Sequence, residues 1–241
     1  MVVNIFFCKL RPDCKNNVIM GKKLSFMVMP LLLSLLIALV FVVEWLFGFS
    51  FVESGIYPRT FSGIKGILFA PFVHSGPAHL LSNLSALPVL LCMLAVMYRR
   101  NYMTILCCLW IITGVLVWLM ARGSYHVGVS GVIYALASFL FFGGILSSRK
   151  SNAAISLVVI ILYGNMVWGL LPNQPHVSWE SHLMGGVAGF ACAFVFVRDQ
   201  RKAARDSDYD YVMPGFSAPV DTLGCGRVVY SSGLDGNITN K

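Results

Sequence analysis

The chain has 241 residues, of which 57% are hydrophobic and only 12% are charged, so it has too little polar surface for a water-soluble globular protein. Its formal net charge is +8 at pH 7, but the basic residues flank apolar segments and do not indicate a nucleic-acid partner. The composition predicts a multi-pass membrane protein in contact with the lipid bilayer.

Six apolar segments approach the length of about twenty residues that a helix needs to cross a bilayer. They are residues 26–49, 80–98, 102–120, 129–146, 153–171 and 182–197. The first is too long for a signal peptide and lacks a cleavage site, so we interpret it as a retained anchor. We therefore predict an all-α fold with a bundle of six transmembrane helices.

Composition divides the chain into three parts. Residues 1–24 form a basic arm without a periodic pattern, residues 25–198 form the membrane domain, and residues 199–241 form a polar tail. We expect the tail to be disordered, since it has little apolar surface to bury.

The distribution of Lys and Arg predicts the orientation, because these residues favour cytoplasmic loops. If both termini are cytoplasmic, only Arg59, Lys65 and Arg122 of the 18 basic residues lie outside. The second, fourth and sixth segments then run from outside to inside, and their N-terminal ends lie together.

The seven cysteines do not indicate a disulfide framework, because none lies in an outer loop. Cys8 and Cys14 could suggest a metal site, but they lack companion ligands, which favours free thiols. The sequence predicts no metal site and no cofactor.

Residues 126–134 place Ser130 among glycines at the mouth of an apolar segment. Such a serine can be a nucleophile, but small residues also let membrane helices pack closely. Taken alone, the pattern favours packing.

The predicted topology brings further polar residues to the same depth as Ser130. His79 begins the second segment and precedes Asn83 by one turn, whereas His182 begins the sixth. A histidine in a membrane helix can be purely structural, but ionisable residues there are costly and are candidate functional groups. Several polar residues at the same depth in the membrane favour a functional site.

These residue types suit acyl transfer. Ser130 can attack a carbonyl if His182 takes its proton. His79 and Asn83, with the backbone N–H groups of Ser130 and Gly131 at a helix N-terminus, are candidate oxyanion donors.

Other residues are expected to support this site. Tyr134 lies one turn after Ser130, where its ring can support the imidazole or simply fill a gap. Gly128, Gly185 and Gly189 permit close approach of the fourth and sixth helices, a packing role that catalysis also requires. Glu180 is the nearby acid, and we expect it to cap a helix or face water, which favours a Ser–His dyad over a triad.

Three motifs resemble the rhomboid family of intramembrane serine proteases. They are HxxxN at residues 79–83, GxSG at 128–131 and HxxGxxxG at 182–189, and the resemblance covers about residues 51–198. It implies that Ser130 and His182 form the dyad and that His79 and Asn83 help form the oxyanion hole. It also implies gating of substrate entry by the fifth helix and its loops, here including residues 172–175.

The resemblance further implies the substrates and the location. We expect cleavage of single-pass transmembrane proteins near the outer face of a bacterial cytoplasmic membrane. The alternative is a catalytically inactive relative that binds membrane clients for quality control or trafficking. A small transporter would need charged or broken helices at the midplane, which the segments do not offer. The sequence does not indicate an oligomeric state.

Overall fold

The structure, a computed structural model, describes residues 12–99, 101–147, 150–172 and 177–209. In these ranges the chain is helical, with an isolated antiparallel bridge between Ile56 and His126. The long helices are α1 (Pro12–Phe47), α2 (Pro77–Met97), α3 (Tyr102–Met120), α4 (Ser130–Leu146), α5 (Lys150–Tyr163) and α6 (Trp179–Tyr209). A 3₁₀ segment, Gly164–Leu170, follows α5.

Four of these helices, and α5 taken together with the 3₁₀ segment after it, contain a stretch long and apolar enough to cross a membrane. The stretches are Val28–Phe47, Pro77–Met97, Tyr102–Met120, Asn152–Leu170 and Trp179–Val197. Helix α4 is also apolar but has 17 residues. The predicted all-α membrane fold is therefore confirmed, whereas six complete spans and the cytoplasmic placement of both termini stay predictions.

Two helices extend beyond the predicted membrane segments. The described part of helix α1 extends N-terminally to Pro12, within the predicted basic arm. Helix α6 continues to Tyr209, eleven residues into the predicted polar tail, and the expected disorder of that tail stays a prediction. Extending an existing helix costs little, since each added residue gains a hydrogen bond. Residues 1–11 and 210–241 lie outside the described ranges.

Helix α4 lies at the centre of the bundle and contacts α2, α3 and α5. Its side chains Ile133, Leu136 and Phe139 are fully buried and pack in one cluster with Leu87 and Leu90 of α2. Large apolar side chains on the outside of the helices are exposed, which suits a surface in contact with lipid. Burial of α4 fixes the position of its first residue, Ser130.

The long connection between α1 and α2 is docked onto α3. The indole Nε1 of Trp118 donates to the carbonyl of Thr60 at 2.9 Å, and that of Trp110 donates to the carbonyl of Ile67 at 2.8 Å. The Arg59 guanidinium donates to the Ala121 carbonyl at 2.8 Å, at the C-terminal end of α3, where a cation is favourable. Arg59 therefore anchors this connection to the bundle.

Candidate active site

Ser130 and His182 are in hydrogen-bond contact. His182 Nε2 lies 3.0 Å from Ser130 Oγ, and both side chains are buried. Ser130 is the first residue of α4, and His182 lies in the first turn of α6. A serine hydroxyl at hydrogen-bond distance from an imidazole is the arrangement of a nucleophile and its general base.

The other ring nitrogen of His182 is held by a backbone carbonyl. Nδ1 lies 2.8 Å from the oxygen of Gly169, in the 3₁₀ segment after α5. Because a carbonyl only accepts hydrogen bonds, Nδ1 carries the proton and Nε2 is free to accept from Ser130. The Gly169 carbonyl thus fixes the tautomer that the carboxylate fixes in a Ser–His–Asp triad.

Gly169 is a glycine for a steric reason. A Cβ at this position would collide with the Tyr134 hydroxyl and lie 3.2 Å from His182 Nδ1. The sequence did not single out Gly169, since its contribution is a backbone atom within an apolar segment.

Tyr134 lies under the imidazole. The rings of Tyr134 and His182 are stacked, with centroids 4.2 Å apart and planes inclined by 10°. The Tyr134 hydroxyl donates to the carbonyl of Met166 at 2.6 Å, which belongs to the same 3₁₀ segment as Gly169. The segment after α5 therefore holds both aromatic rings in place.

Glycines allow α4 and α6 to touch through their backbones. A Cβ at Gly185 would collide with the carbonyl oxygen of Gly131, and one at Gly189 would collide with that of Ala135. A Cβ at Gly131 would lie 3.1 Å from the Ser181 carbonyl. These contacts bring the first turns of the two helices together.

The candidate oxyanion donors lie beside Gly128. This glycine has φ +101°, and a Cβ there would lie 2.8 Å from His79 Nε2 and 3.6 Å from Asn83 Nδ2. The Ser130 and Gly131 amides belong to the first turn of α4, where N–H groups have no partner within the helix. Two candidate donors thus lie beside the glycine that precedes Ser130 by two residues, and the other two are in the first turn of α4.

His74 orients Asn83 and was not predicted as a site residue. Asn83 Nδ2 lies 3.0 Å from His74 Nε2, so the amide donates to this nitrogen when it is unprotonated. Burial, assisted by the charge of His79, lowers the pKa of His74 from 6.5 to about 4. His74 is therefore neutral at pH 7 and can accept from Asn83. A histidine outside a predicted helix offered no signal for this role.

Glu180 corrects one prediction. It neither faces water nor caps a helix with its carboxylate: the side chain is buried, and its Oε1 lies 3.3 Å from Arg122 Nε. Pairing with a cation offsets the cost of burying the carboxylate. His182 Nδ1 bonds to Gly169 instead, so Glu180 does not occupy the position of a triad acid.

Within the described residues, no group of three or more His, Cys, Asp or Glu side chains could hold a metal ion. Cys92, Cys107, Cys108 and Cys192 are free thiols. The side chains of Cys8 and Cys14, and residues 173–175 of the expected gating loop, lie outside the described residues.

The fold and site define an integral membrane protein with a buried serine–histidine pair between two helices. The family model described as Rhomboid domain matches residues 62–199, more than half of the chain and all three motifs. The chain therefore belongs to the rhomboid family, and the resemblance found in its motifs is confirmed.

Similar proteins are known from mycobacteria. Uncharacterized protein Rv1337 of Mycobacterium tuberculosis (strain ATCC 25618 / H37Rv) is 32% identical over 177 residues, which cover 70% of this chain and 74% of that protein. Uncharacterized protein ML1171 of Mycobacterium leprae (strain TN) is 29% identical over 204 residues, which cover 80% and 79%. Neither name states an activity.

Proposed function

We propose that this protein is an intramembrane serine endopeptidase in which Ser130 is the nucleophile and His182 the general base. The observation that carries the proposal is the buried contact of 3.0 Å between Ser130 Oγ and His182 Nε2. Membership of the rhomboid family supports the same reaction. No cofactor is required, since both proton transfers can pass through His182.

The reaction begins when Ser130 Oγ attacks a peptide carbonyl and its proton moves to His182 Nε2. The Gly169 carbonyl and the Tyr134 ring stabilise the imidazolium that forms, by a hydrogen bond and a cation–π contact. His182 then protonates the leaving amine. Water, deprotonated by His182, then attacks the acyl carbonyl, the bond between the acyl carbon and Ser130 Oγ breaks, and His182 returns the proton to Oγ.

The developing oxyanion requires donors that are already in place. We assign this role to the His79 and Asn83 side chains, which lie beside Gly128, and to the Ser130 and Gly131 amides in the first turn of α4. The N-terminus of α4 adds a favourable dipole. Losing one such donor typically lowers kcat by about a hundredfold or more.

The substrates are proposed to be transmembrane segments of other membrane proteins. A scissile carbonyl in lipid is protected by helical hydrogen bonds, so segments containing Gly or Pro near the site should be preferred. The site is proposed to face the outer side of a bacterial cytoplasmic membrane. The distribution of Lys and Arg along the chain supports the outer side, and the mycobacterial relatives support a bacterial membrane. The lipid bilayer is a partner in this arrangement, and nucleic acid is not.

The test is labelling of the purified full-length protein with a serine-directed fluorophosphonate, together with cleavage of a transmembrane reporter weakened by glycine. The wild type should label and cleave, and both signals should disappear in Ser130→Ala and His182→Ala. A wild type that neither labels nor cleaves, while folded, would instead support the inactive client-binding alternative.

A further inference from the structure

The two loops that lead into the dyad helices are joined by a partly buried polar contact. His126 lies four residues before Ser130, and Ser178 lies four residues before His182. His126 Nδ1 is 2.5 Å from Ser178 Oγ. None of the chemical steps above uses this pair, although it connects the two halves of the site.

The direction of each hydrogen bond around His126 can be assigned. His126 Nε2 lies 3.0 Å from the Arg122 carbonyl, which only accepts, so Nε2 carries the proton. Nδ1 therefore accepts from the Ser178 hydroxyl. Ser178 Oγ in turn accepts from the hydroxyl of Ser181 at 2.7 Å and from its backbone N–H at 3.3 Å. Burial lowers the pKa of His126, which keeps the ring in this neutral form.

Ser178 is the N-cap residue of α6. The helix begins at Trp179, and acceptance of the Ser181 N–H by Ser178 Oγ is the contact of an N-cap, which fixes the first turn. His182 lies in that turn. The hydrogen bond from Ser178 to His126 therefore determines where the first turn of α6 is held.

His126 is itself fixed by its backbone. It exchanges two hydrogen bonds with Ile56, of 2.9 and 3.0 Å, and its side chain is only 2% exposed. Arg122, in the loop of His126, and Glu180, in the first turn of α6, form a second link, but Arg122 is 48% exposed, so solvent screens that ion pair. The link through His126, which is almost fully buried, is the stronger positional constraint.

We propose that His126 is a positioning residue that sets the distance between Ser130 and His182 by holding the N-cap of α6 through Ser178. This inference rests on the proposed function. His126 contacts no reacting atom; it acts through the start of the helix that carries the base. A displacement of about 1 Å in a reacting pair can cost about a hundredfold in rate.

The experiment compares variants that break the link with variants that keep it. His126→Phe and Ser178→Ala remove it, whereas His126→Asn keeps an acceptor near Nδ1 and Ser178→Thr keeps the hydroxyl. Ser124→Ala is the matched control, since Ser124 lies in the same loop and reaches His126 only at 3.5 Å. Labelling by a small fluorophosphonate, kcat and KM for the reporter, and the thermal unfolding midpoint are measured on full-length protein.

We expect His126→Phe and Ser178→Ala each to lower the labelling rate and kcat by about 10- to 100-fold, with KM changed less than about twofold. The double variant should be no slower than the slower single variant, because both remove one link. Ser178→Thr, His126→Asn and Ser124→Ala should stay within about threefold of wild type. If His126→Phe does not fold, the comparison of Ser178→Ala with Ser178→Thr tests the proposal.

The outcomes separate this inference from the proposed function. An unlabelled, folded wild type contradicts the proposed function. A labelled wild type with unchanged rates in both link-breaking variants overturns the role of His126 alone. Rates that fall only in proportion to the folded fraction, or losses that multiply in the double variant, also overturn it.

Discussion

At the scale of single residues, the proposed dyad depends on a backbone atom. The His182 tautomer is set by the Gly169 carbonyl, and the absence of a Cβ at Gly169 leaves room for the Tyr134 hydroxyl. The sequence predicted Ser130 and His182 because each is a polar residue at the start of an apolar segment. It predicted Tyr134 because this residue lies one turn after Ser130. It could not predict Gly169, because any residue has a carbonyl and only the path of the chain after α5 directs this one towards the ring.

Gly169→Ala should lower kcat by about a hundredfold, because the new methyl group displaces Tyr134 or His182. The phenol oxygen is the atom in collision, so adding Tyr134→Phe should restore part of the activity. Reporter cleavage measures both effects. A double variant as slow as Gly169→Ala would contradict this explanation.

The lowered pKa of His74 predicts that the stability of the protein depends on pH. Its folded pKa of about 4 lies below the unfolded value of 6.5, so the unfolded chain binds a proton first as pH falls. The stability associated with neutral His74 is therefore full above pH 6.5, declines as the pH falls below that value, and stops changing below about pH 4. A shift of this size corresponds to about 3 kcal/mol at most.

The measurement is the unfolding midpoint of wild type and His74→Gln between pH 4 and 7. Glutamine keeps an acceptor for Asn83 but does not titrate, so its midpoint should fall less steeply with decreasing pH. Parallel curves for the two proteins would assign the pH dependence to other groups.

At the scale of helices, the site exists because α4 and α6 meet at glycines. The HxxGxxxG and GxSG spacings predicted this contact, since residues four apart share a helix face. The burial of Glu180 was missed because its partner, Arg122, lies in the loop before α4, and the sequence does not indicate which residue of a distant loop pairs with a residue of α6. The same limitation hid the contact between His126 and Ser178.

Two neighbouring glycines of α6 provide a matched comparison. A Cβ at Gly185 would collide with the Gly131 carbonyl, whereas one at Gly186 would meet nothing within 4 Å. Gly185→Ala should therefore lower both the fluorophosphonate labelling rate, by about tenfold or more, and the unfolding midpoint. Gly186→Ala should leave both unchanged or raise the midpoint slightly, since alanine favours helix. Equal effects of the two changes would exclude the helix contact as the cause.

At the scale of the whole molecule, composition predicted the all-α membrane fold, because apolar segments of helical length have few alternatives in lipid. Helix ends were less predictable: α1 and α6 both continue beyond their apolar stretches. Hydropathy identifies the part of a helix that contacts lipid, but it does not predict how far the helix continues outside the membrane.

The predicted orientation can be tested with reporter fusions. Alkaline phosphatase should be active when inserted at residue 48, in the connection between α1 and α2, and inactive when fused after Lys241. Green fluorescent protein after Lys241 should fluoresce. The reverse pattern would place the site on the cytoplasmic side.

The use of a carbonyl in place of a carboxylate has an electrical consequence. Serine, neutral histidine and the Gly169 peptide carry no net charge, and the imidazolium and oxyanion formed together still sum to zero. The proposed reaction therefore displaces charge over only a few ångströms and carries no net charge through the transmembrane voltage. A membrane-embedded peptidase built in this way can work at the same rate in an energised and a de-energised membrane.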